Sequence, residues 1–148
     1  CAKGLSALLN RADALELNVL IENHGGLSSN GAWLASLIKQ VDHPRLGTLP
    51  DFGNFVLDWN TRESYDRYKG IDELLPMAKA LSAKSNDFND AGDEIHTDYT
   101  RMFELVRKHS YTGWIGVEYE GETDSEIDGI IKTRDLLIKN GCTLERRV

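Results

Sequence analysis

The amino-acid sequence predicts an α/β protein in which short apolar strands alternate with amphipathic helices. Three observations predict this fold: four short apolar segments, an amphipathic pattern after each of them, and ionisable strand-end residues spaced 29, 33 and 34 positions apart. Strands that alternate with helices imply a parallel sheet, because a parallel connection needs a crossover helix. Eight such units close a barrel, so four units in a single domain of residues 1–148 predict half of a (β/α)8 TIM barrel. The helix-first start of the chain, described below, makes the C-terminal half the expectation.

The elements can be followed along the chain. An amphipathic helix is predicted over residues 4–17, and the run at 18–22 is short, apolar and partly β-branched, as a buried parallel strand should be. Ser29 or Asn30 is the predicted N-cap of the next helix. The later elements are predicted as strands at 46–51, 80–84 and 114–120 and as helices at 71–80, 98–108 and 126–140, with a long loop before residue 71 and with Gly141 ending the last helix.

The composition limits the class of partner. The 148 residues are 41% apolar and 28% charged, which is ordinary for a globular protein. The net charge of −7 is spread along the chain, which disfavours nucleic-acid phosphates and anionic lipid as partners, and no run of about 18 apolar residues predicts a membrane span. We therefore expect a small, neutral or metal-chelated ligand, and a cytoplasmic location or a periplasmic one if a signal has been removed upstream.

The first residues predict that an upstream segment is missing. The chain begins at Cys1, and the apolar periodicity of a helix is already present at Leu5, Leu8 and Leu9. A mature lipoprotein also begins with Cys, but a flexible Ser/Gly tether would usually follow. Four parallel strands leave two sheet edges unpaired, so we expect an N-terminal half barrel as the partner, and a homo-oligomer stays open.

Ionisable side chains stand at the end of every predicted strand. They are Glu22, Asp51, Lys84 and Glu118. In parallel β/α folds the functional groups lie at the C-terminal strand ends. Burying three carboxylates there is costly unless they are paired or bound to a cation, so a divalent metal is the simplest compensation. Oxygen ligands favour Mn²⁺ or Mg²⁺, whereas Zn²⁺ prefers more His or Cys ligands and stays open as the less favoured ion.

Four segments resemble the sugar phosphate isomerase/epimerase superfamily, the xylose-isomerase-like TIM barrels. They are VLIENHG at 19–25, LPDFGNF at 49–55, SAKSNDF at 82–88 and YTGWIGVEYEG at 111–121. The segments occur in the family's order and, together, extend over nearly the whole chain. The resemblance implies a sugar or sugar derivative as substrate and a divalent metal as cofactor.

The resemblance also implies roles for individual residues. Glu22, Asp51 and Glu118 correspond to metal ligands, and the two Glu residues to the acid and base that move a proton α to a carbonyl through an enediolate. The family's metal-binding His falls on Ser82, which is a poor ligand. Lys84 is a candidate electrophile toward the substrate oxygen.

The substrate-binding candidates come from the same strand ends and loops. The period of two along a strand puts polar neighbours of the ionisable residues on the lumen face, and loop residues next to them can hydrogen-bond hydroxyl groups or pack against a sugar ring. These candidates are His24, Phe52, Asn54, Asn86 and Glu120, with Phe55 and Trp59 as further aromatic residues beside them.

Two other functions remain open on sequence alone. A metal-dependent phosphodiesterase of the abasic-site endonuclease type would need more His ligands and a basic surface, and the net charge of −7 argues against it. A non-catalytic or vestigial sugar-binding barrel fragment is consistent with Ser82 at the His position. Metal analysis separates the three hypotheses.

Overall fold

The structure, a computed structural model, describes residues 1–144 and contains the predicted alternation of parallel strands with helices. Within those residues the chain forms two 3-10 turns, at Gly26–Ser29 and Leu75–Met77, beside its helices and strands. The helices are α1 (Ala2–Ala14), α2 (Gly31–Val41), α3 (Arg67–Leu74), α4 (Tyr99–Lys108) and α5 (Glu126–Lys139). The strands are β1 (Val19–Glu22), β2 (Leu46–Leu49), β3 (Val56–Asp58), β4 (Glu63–Ser64), β5 (Leu81–Ser85) and β6 (Ile115–Tyr119).

Four of the strands are parallel and follow one another in chain order. β1 pairs with β2, and β5 pairs with β6 in a register that places Lys84 opposite Glu118. Isolated parallel bridges join the two pairs, including one between Asp51 and Ser82. The order is therefore β1, β2, β5, β6, and the carboxyl ends of all four strands lie along one edge, where the functional groups of parallel β/α folds are found.

The segment predicted as a long loop before α3 contains an antiparallel hairpin. β3 and β4 pair with a register shift, and the N–H of Tyr65 donates to the carbonyl of Phe55 at 2.8 Å to close the base of the hairpin. The two strands have three and two residues, too few for an alternation pattern to reveal them in the sequence.

Local chemistry shifts the helix bounds by a few residues. Asn30, one of the two predicted N-caps, accepts the N–H of Trp33 at 3.0 Å at the start of α2. The predicted helix at 71–80 instead begins at Arg67, since the side chain of Asp66 accepts the N–H of Lys69. It ends early, because the chain tightens into the 3-10 turn that contains Pro76.

The apolar core consists of two clusters, one under each strand pair. The cluster under β5 and β6 includes Phe52, Met102 and Phe103, and the cluster under β1 and β2 includes Leu9 and Leu34. Burial of these side chains is the main stabilising contribution and fixes the strands that carry the site. Among residues 1–144, no helix has both the length and the apolar composition needed to cross a membrane.

α2 and α3 approach each other closely through two glycines. A Cβ at Gly31 would lie 2.7 Å from the Cα of Gly70, and a Cβ at Gly70 would overlap the ring of Phe55, a buried core residue. We expect Gly70→Ala to lower the free energy of unfolding by about 1–3 kcal/mol, as overpacking does. Gly4 is an exposed position in α1 with open space for a Cβ, so Gly4→Ala should instead raise the free energy of unfolding by up to about 1 kcal/mol. Urea denaturation measures both, and equal effects of the two variants would contradict the prediction.

Candidate metal and substrate site

Three carboxylates meet at the carboxyl ends of the parallel strands. Glu22 ends β1, Asp51 follows β2 and Glu118 lies in β6. One carboxylate oxygen from each residue lies within 4.8 Å of the other two. The structure thus brings together the three residues that the sequence predicts as metal ligands, in an arrangement of hard oxygen donors that fits a divalent cation.

Asp51 provides the clearest sign that the cluster fits a cation. Its side chain is fully buried, and its Oδ1 accepts the backbone N–H groups of Gly53 and Asn54, both at 2.8 Å. Its Oδ2 is also buried and has no hydrogen-bond partner among the described residues. A buried carboxylate oxygen without a donor is costly, and a metal ion would satisfy it.

Glu118 receives a donor on each of its two carboxylate oxygens. The hydroxyl of Ser82 donates to Oε2 at 2.7 Å, and Lys84 Nζ lies 2.9 Å from Oε1. The position that the family resemblance assigns to a metal-binding His therefore supplies a hydrogen bond to a candidate ligand. This contact orients the carboxylate, as outer-shell partners of metal ligands do.

The amide of Asn54 connects Lys84 to the first carboxylate. Its Oδ1 accepts from Lys84 Nζ at 3.0 Å, and its Nδ2 donates to Glu22 Oε1 at 3.2 Å. Asn54 follows Asp51 in the same tight turn, whose backbone N–H groups bind Asp51 Oδ1. One short segment therefore positions a carboxylate and an amide of the site together.

Asn23 supports the site from below and was not among the sequence-predicted residues. It is fully buried, its Oδ1 accepts the N–H of Asp51 at 2.8 Å, and its Nδ2 donates to the carbonyls of Asp51 and Asn54 at 2.9 and 3.1 Å. These bonds fasten the Asp51 turn to the end of β1. The available signal was a polar residue directly after β1 whose side chain, by the period of two, lies on the face opposite Glu22.

The remaining predicted residues lie in different environments. His24 is exposed just after β1, and Asn86 donates its amide to the carbonyl of Glu120 at 3.1 Å. The side chain of Glu120 is half exposed and lies 2.9 Å from Lys84 Nζ. These three polar residues are accessible at the strand ends.

Phe52 differs from its predicted role as a substrate contact. Its side chain is 0% exposed and packs edge-on against Tyr99 and Phe103, with ring centroids 5.7 and 6.2 Å apart. Phe55 is likewise buried. Trp59 is 66% exposed on the β3–β4 hairpin, where its indole lies against Gly25, so it is the aromatic side chain of this group that a ligand can reach.

The pKa values of two carboxylates in the cluster shift in opposite directions. Burial raises the pKa of Asp51 from its ordinary 3.8 to about 6, in spite of the N–H bond from Gly53. Burial also acts to raise the pKa of Glu118, but hydrogen bonds from Lys84 and Ser82 outweigh it and hold that pKa below its ordinary value. For Lys84, burial lowers the pKa, whereas contacts with Glu118 and Glu120 raise it above the ordinary value on balance. At neutral pH Glu118 is therefore a carboxylate and Lys84 an ammonium.

The raised pKa of Asp51 predicts a pH-dependent stability. Between pH 3.8 and about 6 the folded chain holds a proton on Asp51 that the unfolded chain has lost. The contribution of this proton to the free energy of unfolding is therefore full below pH 3.8 and is lost as the pH rises through 6. The asparagine of Asp51→Asn does not titrate. In EDTA, the free energy of unfolding of this variant relative to wild type should therefore rise by about 2–3 kcal/mol from pH 4 to pH 7. Urea denaturation across this range provides the measurement. A stability difference that does not change with pH would contradict the assignment.

The fold and the carboxylate cluster together define a β/α barrel-type protein with a candidate metal site. The sequence matches the family described as xylose isomerase-like TIM barrel over residues 1–140. The chain belongs to this family, as its four sequence motifs predicted, and its solved structural neighbours include sugar phosphate isomerase/epimerases. A comparison with curated proteins finds no match.

Solved structures with the same fold share little sequence with this chain. A xylose isomerase-like TIM barrel protein from Mycobacterium smegmatis in complex with magnesium aligns with a TM-score of 0.67 at 19% identity, over 94% of this chain and 50% of that one. The 3-keto-D-glucoside 4-epimerase from E. coli aligns with a TM-score of 0.63 at 18% identity, over 94% and 51%. The probable 3-DHS dehydratase involved in petrobactin synthesis from Bacillus anthracis aligns with a TM-score of 0.63 at 16% identity, over 95% and 56%. The chain spans about half the length of these structures.

Proposed function

We propose that this chain carries the metal site of a sugar isomerase or epimerase that acts by proton transfer α to a carbonyl. The observation that carries the proposal is the convergence of Glu22, Asp51 and Glu118 at the strand ends, with a buried Asp51 oxygen that no donor among residues 1–144 satisfies. Membership of the xylose isomerase-like family, and neighbours that are sugar epimerases, support the same reaction class.

Glu22 and Glu118 are the proposed acid and base. In the forward direction one carboxylate removes the proton from the carbon next to the substrate carbonyl. The electron pair of the broken C–H bond forms a C=C bond, and the carbonyl π electrons move to oxygen, which gives an enediolate. The other Glu, in its protonated form, returns a proton to carbon on the opposite face. Glu118 is ionised at neutral pH, as a proton acceptor must be.

Glu22, Asp51 and Glu118 are the residues that would hold a divalent ion. When bound, such an ion would withdraw electron density from the substrate carbonyl and the adjacent hydroxyl. An all-oxygen donor set favours Mn²⁺ or Mg²⁺ over Zn²⁺. The magnesium complex of the Mycobacterium smegmatis protein supports the same choice.

The surrounding polar groups are the proposed substrate contacts. His24, Asn86 and Glu120 are accessible at the strand ends, and Asn54 lies between Glu22 and Lys84. Lys84 is the candidate electrophile toward a substrate oxygen, which would replace one of the three oxygen atoms that its ammonium contacts.

A second half barrel is proposed to complete the barrel lumen that would enclose the substrate. The four parallel strands leave β1 and β6 at the edges of the array, and Val117, Ile127 and Ile130 near the β6 edge are exposed apolar residues. Such edges and apolar residues are normally covered. Experiments on activity therefore use the complete protein that contains this chain.

The test is a solvent-exchange assay combined with metal analysis. The purified protein is analysed for bound metals, then incubated with a panel of ketoses in D₂O with Mn²⁺ or Mg²⁺, and carbon-bound deuterium is measured by NMR. Metal-dependent deuterium incorporation with a new sugar epimer or isomer supports the proposal. Sugar binding with neither bound metal nor exchange would assign a binding module, and several zinc ions with phosphodiester cleavage would assign a nuclease. Loss of water from the substrate would assign a dehydratase.

A further inference from the structure

Lys84 is a buried cation inside the carboxylate cluster. Its side chain is 5% exposed, and its ammonium lies 2.9 Å from Glu118 Oε1, 2.9 Å from Glu120 Oε2 and 3.0 Å from Asn54 Oδ1. An ammonium has three N–H donors, so these contacts use all of them. A charge buried to this degree is stable only when it is paired, which ties Lys84 to the acidic groups around it.

The stem of Lys84 is held in place by the turn that carries Asp51. A Cβ at Gly53 would lie 2.8 Å from Lys84 Cδ and 3.0 Å from Lys84 Cγ, so glycine leaves the room that the lysine stem occupies. The ammonium is therefore directed to the cluster by packing as well as by charge. A freely moving surface lysine would have neither constraint.

Hydrogen bonds connect Lys84 to two of the three candidate metal ligands. It contacts Glu118 directly, and it contacts Glu22 through Asn54, whose amide accepts from Lys84 on one side and donates to Glu22 on the other. Asp51 completes the cluster. A divalent ion on these carboxylates would share Glu118 with the ammonium, and the two cations would repel each other.

We propose that Lys84 is the resident counter-ion of the carboxylate site, which keeps the cluster assembled before an ion binds and weakens its affinity for divalent ions. The inference rests on the metal site of the proposed function and adds a residue that sets the occupancy of that site. Lys84 acts here as a positioning residue for Glu118. The ion and the ammonium balance the same negative charge, so removing the ammonium should strengthen binding of the ion.

The test is calorimetric titration of MnCl₂ into the metal-free protein and its variants. Lys84→Met removes the ammonium and keeps most of the stem, so it should tighten Mn²⁺ binding about 10-fold or more, the size expected for a unit charge acting over a few ångströms in a partly screened site. Lys84→Arg keeps the charge and should bind Mn²⁺ with nearly wild-type affinity. Thermal unfolding gives a second readout: metal-free Lys84→Met should melt below wild type and gain more from saturating Mn²⁺.

Controls separate the local charge from other effects of the substitution. Lys108→Met removes a positive charge that is 58% exposed and paired with Asp72 on the outside of the fold, and it should leave Mn²⁺ affinity unchanged. If Lys84→Met does not fold, Lys84→Gln, which keeps a hydrogen-bond donor without the charge, should show the same tightening.

Each outcome decides the proposal. Unchanged or weaker Mn²⁺ binding in the folded Lys84 variant would overturn it and leave the proposed function standing if wild type still binds Mn²⁺ and exchanges the substrate proton. Binding that appears only after the charge is removed supports it. Absence of Mn²⁺ binding in both proteins would overturn both the inference and the metal dependence.

Discussion

Glu118→Gln is expected to lower the exchange of the substrate proton with solvent by about 1000-fold. The change is isosteric and removes the charge and basicity of a carboxylate that Lys84 and Ser82 hold in its ionised form. The amide oxygen can still accept from Lys84, so the fold should be largely kept. Deuterium incorporation into substrate, followed by NMR on the complete protein, measures the loss.

A matched control for this variant is available on an outer helix. Glu104 is exposed on α4, so Glu104→Gln removes the same charge outside the site and should leave exchange unchanged. Circular dichroism and thermal unfolding show whether each variant is folded. If folded Glu118→Gln still exchanges the substrate proton at the wild-type rate, Glu118 is not the base.

Asp51→Asn is expected to weaken binding of Mn²⁺ by about 100-fold or more. Oδ2 of Asp51 is buried and has no donor within residues 1–144, and the substitution puts an amide at this position in place of an anionic ligand. The asparagine oxygen can keep the two N–H bonds from Gly53 and Asn54, so the turn should survive. Calorimetric titration with MnCl₂ measures the affinity, and the metal-dependent rise in melting temperature should disappear.

The control for this variant lies on α5. Asp135 is 57% exposed and pairs with Arg134, so Asp135→Asn changes the same chemical group without touching the carboxylate cluster. It should leave Mn²⁺ affinity at the wild-type value. Retention of full affinity in Asp51→Asn would remove Asp51 from the set of metal ligands.

The sequence predicted the parts of the molecule that depend on local pattern. Short apolar runs and β/α spacing predicted the four parallel strands, and the strand-end rule predicted that Glu22, Asp51 and Glu118 would come together, as they do in the structure. Helix caps at Asn30 and the stop at Gly141, which has a φ of +99°, also follow from local chemistry.

Features that depend on long-range contacts could not be read in advance. Asn23 is a site residue through bonds to a segment 28 positions away, and Phe52 faces the core because α4 brings Tyr99 and Phe103 against it. The contacts of Lys84 with Asn54 and Glu118 likewise form only because the turn at Asn54 and the carboxyl end of β6 meet in the fold. Sequence spacing identifies which residues end a strand, but the partners of each side chain come from tertiary packing.

The hairpin between Phe55 and Tyr65 is a segment that can be replaced in protein engineering. Its base is fixed by the hydrogen bond between these two residues, and Phe55 is buried in the core, so the ends of the segment are held by contacts that do not involve residues 56–64. Residues 56–64 can therefore be lengthened, shortened or exchanged at a small cost in loop-closure entropy. Because Trp59 at its tip lies against Gly25, three residues after Glu22, libraries confined to this hairpin would vary the surface beside the end of β1 while leaving the sequence of the carboxylates and their supporting turn unaltered.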